Sequence, residues 1–179
     1  MKNIFFIGLM GAGKTTIGRL IAKQLGMTFY DTDHEIERKT GVKIPLIFEL
    51  EGEAGFRKRE TAIIEELSQL KNIVLATGGG AVLLPENRSL LKNNGKVIYL
   101  RGNVHDLWLR TRHDKSRPLL QGGNMKQKIE NLYIQRDPIY MQLADCVVNT
   151  GPQSAAAITE YIEALLINDG AKADEHANT

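Results

Sequence analysis

A glycine-rich segment near the amino terminus, ending in Lys-Thr, constrains the fold more than any other part of this sequence. It reads Gly-Leu-Met-Gly-Ala-Gly-Lys-Thr over residues 8–15 and matches G-x-x-x-x-G-K-[ST] without a gap. Apolar residues 4–7 precede it and apolar residues at helical spacing follow it, which indicates a strand, a loop and a helix. Glycines let N–H groups face a phosphate chain, and the helix adds the positive end of its dipole. The segment therefore predicts a nucleoside triphosphate site.

Two side chains of this segment carry the chemistry that such a site needs. Lys14 can reach the β- and γ-phosphates of a nucleotide, and the Thr15 hydroxyl can ligate Mg²⁺. The segment does not reveal which molecule receives the phosphoryl group, so the acceptor must be inferred from the rest of the chain.

Five short apolar segments alternate with helical patterns along the sequence. They are residues 4–7, 27–30, 73–76, 97–100 and 146–148. This alternation is typical of a parallel sheet with helices on both faces. We therefore predict an α/β fold, a three-layer α/β/α sandwich with a five-stranded parallel sheet, in the P-loop kinase architecture of the nucleoside monophosphate kinases.

The predicted elements form a single domain over residues 1–167. Residues 32–60 are a predicted insertion after the second strand, in which residues 51–55 separate two helices. Residues 112–124 are basic, contain a proline and end in paired glycines, which is typical of a mobile lid. We expect a helix interruption at Pro138, and a disordered tail over the polar residues 168–179.

Composition and charge argue against several classes of partner. The net charge of +2 creates no strong field for nucleic acid or a membrane surface. No apolar run reaches the roughly 18 residues of a membrane span. Cys146 is the only cysteine, so no internal disulfide can form, and the four histidines lack zinc-site spacing. We expect a cytoplasmic monomer.

Polar residues gather where the predicted strands end. Asp31 and Asp33 follow the second strand, and three glycines, residues 78–80, follow the third. The carboxyl ends of parallel strands border the ligand crevice in open α/β sheets. Asp31 or Thr32 can instead cap the next helix, and both roles are compatible. Consecutive glycines indicate a backbone that must lie directly against another group.

Among triphosphate-binding classes, a small-molecule kinase fits best. A guanine-reading N-K-x-D segment, which regulatory GTPases carry, is missing, and the coupling elements of a motor or transporter are missing too. A noncatalytic nucleotide sensor remains an alternative. The kinase needs a second pocket for the acceptor, with Asp33, Arg57, Gly79 and Arg136 as candidates. One carboxylate suits hydroxyl groups and two guanidinium groups suit a carboxylate, although a nucleoside monophosphate would also attract arginines.

The sequence resembles the shikimate kinase family from Asn3 to about Ile167. After the glycine-rich segment, the resemblance rests on several short motifs in a fixed order: Asp31-Thr32-Asp33, Ile47-Phe48, Glu51-Gly52-Glu53, Phe56-Arg57-x-x-Glu60, Thr77-Gly78-Gly79-Gly80, Arg117-Pro118-Leu119-Leu120 and Arg136-Asp137-Pro138-Ile139-Tyr140. It implies ATP-dependent phosphorylation of the shikimate 3-hydroxyl, giving 3-phosphoshikimate on the route to chorismate and the aromatic amino acids. A gluconate-like kinase is the second candidate.

The resemblance also implies roles for individual residues. Shikimate would be bound by Asp33, Arg57, Gly79, Gly80, Arg136, Phe48 and Phe56, with Asp33 on the ring hydroxyls and the arginines on the carboxylate. ATP would be bound by Gly11, Ala12, Gly13, Lys14, Thr15, Thr16, Arg110, Arg117 and Gln153, with Arg110 and Gln153 beside the adenine. Lys14, Asp33 and the lid residue Arg117 would be catalytic.

Two local features depart from the expected pattern. Leu46 stands where an acidic or polar residue is expected before Ile47-Phe48, which predicts altered packing of the pocket wall. The third strand lacks the aspartate that usually supports Mg²⁺ in P-loop enzymes. We expect Asp31 to supply that carboxylate through a water molecule, beside the direct ligand Thr15.

Overall fold

The structure, a computed structural model, describes residues 2–177, and the side chains of residues 2–169 within that range. Five strands form one sheet: β1 (Asn3–Ile7), β2 (Thr28–Asp31), β3 (Ile73–Ala76), β4 (Gly95–Gly102) and β5 (Cys146–Thr150). The helices are α1 (Lys14–Leu25), α2 (Thr32–Thr40), α3 (Ile44–Ser68), α4 (Pro85–Asn94), α5 (Val104–Thr111), α6 (Met125–Leu143) and α7 (Ala155–Ala177). Short 3-10 turns lie at Ala81–Leu83 and Pro118–Leu120.

All strand pairs are parallel, in the order β2-β3-β1-β4-β5. The central strand β1 is buried along its whole length, and Phe5 lies between Leu75 and Val97. After β1 the chain passes through α1 to β2 at one edge of the sheet, whereas β3 connects to β4 on the other side of β1, so the glycine-rich loop lies at the switch point where α/β sheets bind ligands. The predicted five-stranded α/β/α sandwich is confirmed.

The two helices predicted on either side of residues 51–55 are present, joined end to end as α3 across a kink. α3 extends from Ile44 to Ser68, and the predicted break falls at Gly52, whose backbone is non-helical with φ 70° and ψ −178°. Glycine adopts this positive φ at little cost, so the direction of the helix changes without a loop. The kink separates the half that carries Phe48 from the half that carries Arg57.

Helix α6 continues through Pro138, where we expected an interruption. Proline lacks the N–H that would bond the carbonyl of Ile134. Ile134 is 67% exposed, so this turn faces solvent and water can satisfy the free carbonyl. Buried side chains on both sides of Pro138, Arg136 and Tyr140, pack the helix against the domain, so tertiary contacts outweigh the local preference.

The last helix also differs from the prediction. α7 continues to Ala177, whereas the sequence predicted a disordered tail from residue 168. Alanine, lysine and glutamate are good helix formers, so polarity alone is a poor sign of disorder here. Lys96 of β4 forms an ion pair with Asp169 of this helix. Residues 178–179 of the predicted tail lie outside the described residues.

Within residues 2–177, no helix is both long enough and apolar enough to cross a membrane.

Candidate functional site

Two joined cavities lie at the carboxyl edge of the sheet. The loop cavity, about 450 Å³, is lined by the glycine-rich loop and by Lys14, Thr15, Thr16, Arg19, Asp31, His34 and Arg110. The arginine cavity, about 180 Å³, is lined by Ile44, Phe48, Phe56, Arg57, Glu60, Gly80, Ser116, Pro118, Leu119 and Arg136. Six residues line both cavities: Met10, Asp33, Glu37, Gly78, Gly79 and Arg117. Groups bound in the two cavities would therefore meet at this junction.

The glycine-rich loop folds around the amino group of Lys14. Nζ donates hydrogen bonds to the carbonyl oxygens of Gly8 at 2.5 Å and Leu9 at 2.9 Å. Burial, together with the nearby charge of Arg117, lowers the pKa of Lys14 to about 7. Lys14 is thus a desolvated cation in a loop of backbone N–H groups, where an anion would find little competition from water.

Helix α5 lies directly against the loop. A Cβ on Gly11, whose φ is 79°, would lie 2.9 Å from a methyl group of Thr111. Arg110 Nη1 donates to the Gly11 carbonyl oxygen at 3.0 Å, which places this arginine in the loop cavity. Gln153 lines neither of the two cavities, and its Oε1 accepts the Gly151 N–H at 3.0 Å.

The side-chain oxygens of Thr15 and Asp31 form a hydrogen-bonded pair beside the loop. The Thr15 hydroxyl donates to Asp31 Oδ2 at 2.7 Å, while Asp31 Oδ1 accepts the His34 N–H at 3.2 Å and caps α2. Asp31 therefore both caps a helix and faces the site. No cluster of three acidic, histidine or cysteine side chains suited to a metal is found among the described residues. Mg²⁺ needs only one or two protein oxygens when phosphates and water complete its shell, so this pair fits the ion.

Asp33 stands at the junction of the two cavities. Its Oδ1 atom is buried without a hydrogen-bond partner in the described part of the chain. Burial, together with the charge of Asp31, raises the pKa of Asp33 to about 6. A buried acceptor without a donor is costly, so this oxygen is suited to a hydroxyl group of a ligand.

Two guanidinium groups enter the arginine cavity from different helices. Arg57 of α3 donates from Nη1 to Glu60 at 2.8 Å and from Nη2 to Glu53 at 3.2 Å. Arg136 of α6 is 2% exposed. The Nε atoms of both arginines are buried and have no partner within residues 2–169. Two guanidinium groups with unused donors, one buried and one partly buried, are suited to a planar anion such as a carboxylate.

Each of the three consecutive glycines lies against a side chain of the site. A Cβ on Gly78 would lie 2.8 Å from Glu60 Oε2, and one on Gly79 would lie 3.4 Å from Arg136 Nη1. A Cβ on Gly80 would overlap the guanidinium group of Arg57. The close backbone approach predicted from this run is therefore present, and it brings the turn against both arginines.

Glu60 is the main site residue that the sequence reasoning did not assign a role. It is completely buried, one oxygen pairs with Arg57, and Oε2 has no partner in the described residues. Burial raises its pKa to about 7 and outweighs the opposing charge of Arg57. The available signal was its spacing, because residues three apart share a helix face.

The apolar wall of the arginine cavity consists of two stacked rings. Phe48 and Phe56 lie on either side of the kink in α3, with ring centroids 4.8 Å apart. The Arg57 guanidinium carbon lies 5.3 Å from the Phe56 centroid, so the wall also supports the cation. Leu46, expected to alter this wall, is partly exposed and lines neither cavity.

The predicted lid brings Arg117 to the junction. Arg117 lines both cavities, and its Nε donates to Asp114 Oδ2 at 2.9 Å. The following 3-10 turn buries Leu120, which fixes one end of the segment to the domain. The structure thus brings the predicted residues of both pockets together, with the exception of Gln153.

Known proteins with similar sequences and structures are shikimate kinases. The family model described as shikimate kinase matches residues 10–166. Shikimate kinases of Burkholderia lata and Thiobacillus denitrificans are 62% and 63% identical over 160 residues, which cover 89% of this chain and 87% of each relative. A solved shikimate kinase from Acinetobacter baumannii in complex with shikimate has a TM-score of 0.93 and 48% identity, covering 94% of both chains. The Aquifex aeolicus enzyme has a TM-score of 0.82 and 34% identity, covering 94% of this chain and 98% of that one.

Proposed function

The chain belongs to the shikimate kinase family, and we propose that its two joined cavities carry out the family's reaction together. That reaction is the ATP-dependent phosphorylation of the shikimate 3-hydroxyl, which gives 3-phosphoshikimate and ADP on the route to chorismate and the aromatic amino acids. The observation that carries this proposal is the junction, where Asp33, Gly79 and Arg117 line both cavities. A hydroxyl group in the arginine cavity can there face a phosphoryl group in the loop cavity.

Shikimate occupies the arginine cavity in this proposal. Arg57 and Arg136 pair with its carboxylate, and their unpartnered Nε atoms support this role. Gly79 and Gly80 line the same cavity and can add backbone N–H donors. The rings of Phe48 and Phe56 cover the apolar carbon ring, and Asp33 accepts hydrogen bonds from the ring hydroxyls.

ATP occupies the loop cavity. Its phosphates accept hydrogen bonds from the backbone of residues 11–16 and from Lys14, which is already desolvated there. Thr15 would hold Mg²⁺ directly and Asp31 through a water molecule, and the bound ion would supply charge neutralisation to the β- and γ-phosphates. Arg110 lies where it can flank the nucleotide, and the role of Gln153 beside the adenine stays a prediction.

The chemical step needs positioning and charge stabilisation more than covalent chemistry by the protein. The shikimate 3-oxygen bonds to the γ-phosphorus while the bond from that phosphorus to the β,γ-bridging oxygen breaks, and ADP leaves. Asp33 orients the hydroxyl and accepts its proton; its raised pKa makes it a stronger base than an ordinary aspartate. Lys14 and Arg117 stabilise the charge that develops on the transferring group.

One assay separates this function from the alternatives. ADP release is measured with ATP and Mg²⁺ in the presence of shikimate, of gluconate, or of neither. We expect turnover with shikimate alone. Turnover with gluconate would support the second kinase candidate, and nucleotide binding without any turnover would support a noncatalytic regulator. The cytoplasmic location and the monomeric state stay predictions, which fractionation and light scattering can test.

A further inference from the structure

A buried hydroxyl on α6 connects two groups that face the acceptor. Tyr140 is 0% exposed and lines neither cavity. Its Oη donates a hydrogen bond to the carbonyl oxygen of Gly79 at 2.5 Å. Arg136 lies one turn earlier on the same face of α6, and its Nη1 would lie 3.4 Å from a Cβ added to Gly79. Tyr140 therefore contacts one proposed acceptor-binding residue directly and lies beside another.

The hydrogen bond from Tyr140 controls the orientation of a peptide group. The carbonyl of Gly79 and the N–H of Gly80 belong to the same planar trans peptide and point in opposite directions. Holding the carbonyl toward α6 therefore directs the Gly80 N–H away from α6. Consecutive glycines permit many backbone orientations, so this peptide depends on such bonds for its direction. Thr32 makes a comparable bond to the Gly78 N–H, at 2.9 Å.

The turn of α6 that carries Tyr140 is itself fixed to the sheet. The rings of Tyr99 and Tyr140 pack with centroids 4.8 Å apart. Tyr99 donates to Asp137 Oδ1 at 2.6 Å, and Arg101 makes two bonds to the same carboxylate, at 3.0 and 2.9 Å. Strand β4 thus holds this turn in place, and the Tyr140 hydroxyl transmits that position to the glycine turn.

We propose that Tyr140 is a positioning residue for the carboxylate of the acceptor. Its hydroxyl keeps the Gly79–Gly80 peptide in register with Arg136, so that backbone and guanidinium donors converge on one anion. Tyr140 contacts neither substrate, so it affects acceptor affinity without contributing to nucleotide binding. The inference rests on the proposed function, because it assumes that a carboxylate binds between these groups.

The Tyr140→Phe variant tests this role, because it keeps the ring and its packing and removes only the hydroxyl. We expect the KM for shikimate to rise about tenfold, since a buried carbonyl loses its donor and its peptide is no longer oriented. The KM for ATP should stay unchanged and kcat should change by less than about twofold. Tyr133→Phe is the matched control, because Tyr133 lies on α6 and its hydroxyl accepts from Arg101 at 3.1 Å, away from the glycine turn.

A ligand without the carboxylate separates positioning from general stability. Dissociation constants are measured for shikimate and for the ring triol that lacks its carboxylate. The tenfold difference between wild type and Tyr140→Phe should appear with shikimate and vanish with the triol. An equal loss for both ligands, or an unchanged affinity for shikimate, would overturn the positioning role while wild-type turnover upholds the proposed function. A wild type that does not phosphorylate shikimate would overturn both.

Discussion

The loop cavity and the arginine cavity differ in whether the polar groups around them have hydrogen-bond partners within the described residues. In the loop cavity, Lys14 bonds two backbone carbonyls and Thr15 bonds Asp31, so the protein satisfies its own charged and polar groups. Four buried atoms around the arginine cavity have no partner within residues 2–169: Asp33 Oδ1, Arg57 Nε, Glu60 Oε2 and Arg136 Nε. Buried polar atoms without partners cost free energy. The arginine cavity therefore carries a cost that binding of the acceptor can relieve.

The two cavities also differ in how the chain builds them. The loop cavity takes its largest share from one continuous segment, residues 10–19, whereas the arginine cavity combines α2, α3, the glycine turn, the lid and α6. In the proposed function, loop residues face the transferring phosphates, and residues of the arginine cavity face the acceptor. We expect substitutions in the first group to reduce turnover and those in the second to reduce acceptor affinity.

Removing the loop cation should give the largest effect. We expect Lys14→Ala to lower kcat by about 10²- to 10³-fold, comparable to the loss of a preorganised electrostatic donor. Steady-state kinetics with saturating shikimate measure this change. Lys23→Ala, at an exposed position in the last turn of the same helix, should keep wild-type turnover. Near-normal turnover of Lys14→Ala would contradict the assignment of the transferring phosphates to the loop cavity.

Replacing the guanidinium group of Arg57 by an ammonium group should mainly weaken binding of the acceptor. Arg57→Lys keeps a positive charge near buried Glu60 but loses the planar bidentate geometry. We expect shikimate binding to weaken by about 2 kcal/mol, near thirtyfold, with little change in the KM for ATP. Arg59→Lys, a more exposed change on the same helix, should leave both constants unchanged. Weakened ATP binding with normal shikimate binding would mean that the two cavities are assigned in reverse.

Arg117 tests the junction, because it belongs to both cavities. We expect Arg117→Ala to lower kcat by about tenfold or more and to change shikimate affinity less, since its proposed contact strengthens in the transition state. Binding of shikimate measured by calorimetry, beside kcat, separates the two effects. Lys115→Ala in the same segment is exposed and serves as the control. A larger loss of affinity than of turnover would place Arg117 with the acceptor site alone.

The same contrast explains what could be predicted from the sequence. The loop and the parallel sheet could be predicted from local patterns, because a continuous motif indicates the loop and short apolar segments indicate the strands. Arg136 was a candidate by its residue type, but its position beside Asp33 could not be read from a local pattern, since residues 33 and 136 are brought together only by tertiary structure. The positioning role of Tyr140 was missed for the same reason. The continuous path of α6 through Pro138 was missed because packing on both sides of the proline outweighs its local preference.

Glu60 allows the free-energy cost of burying a charged carboxylate beside the arginine cavity to be measured. Its pKa is raised by burial from its ordinary 4.5 to about 7, so between these pH values the folded protein binds more protons than the unfolded chain. The contribution of Glu60 to the free energy of unfolding is fully present below pH about 4.5 and is lost as the pH rises through about 7. Asp33, with a pKa raised to about 6, adds to the same trend. Without ligands, the wild type should therefore lose stability over this range.

The Glu60→Gln variant should reduce this loss, because glutamine keeps the hydrogen-bonding shape but does not titrate. We expect the free energy of unfolding to fall between pH 5 and 7 by on the order of 1 kcal/mol more in the wild type than in the variant. Urea titrations across this range measure the difference. Glu65→Gln, at an exposed position on the same helix, should follow the wild type. If the free energy of unfolding of wild type and Glu60→Gln changed equally with pH, the ionised Glu60 carboxylate would cost no stability, although its Oε2 lacks a partner in the described residues. Arg57 and Arg136 would then stabilise its charge as well as water does.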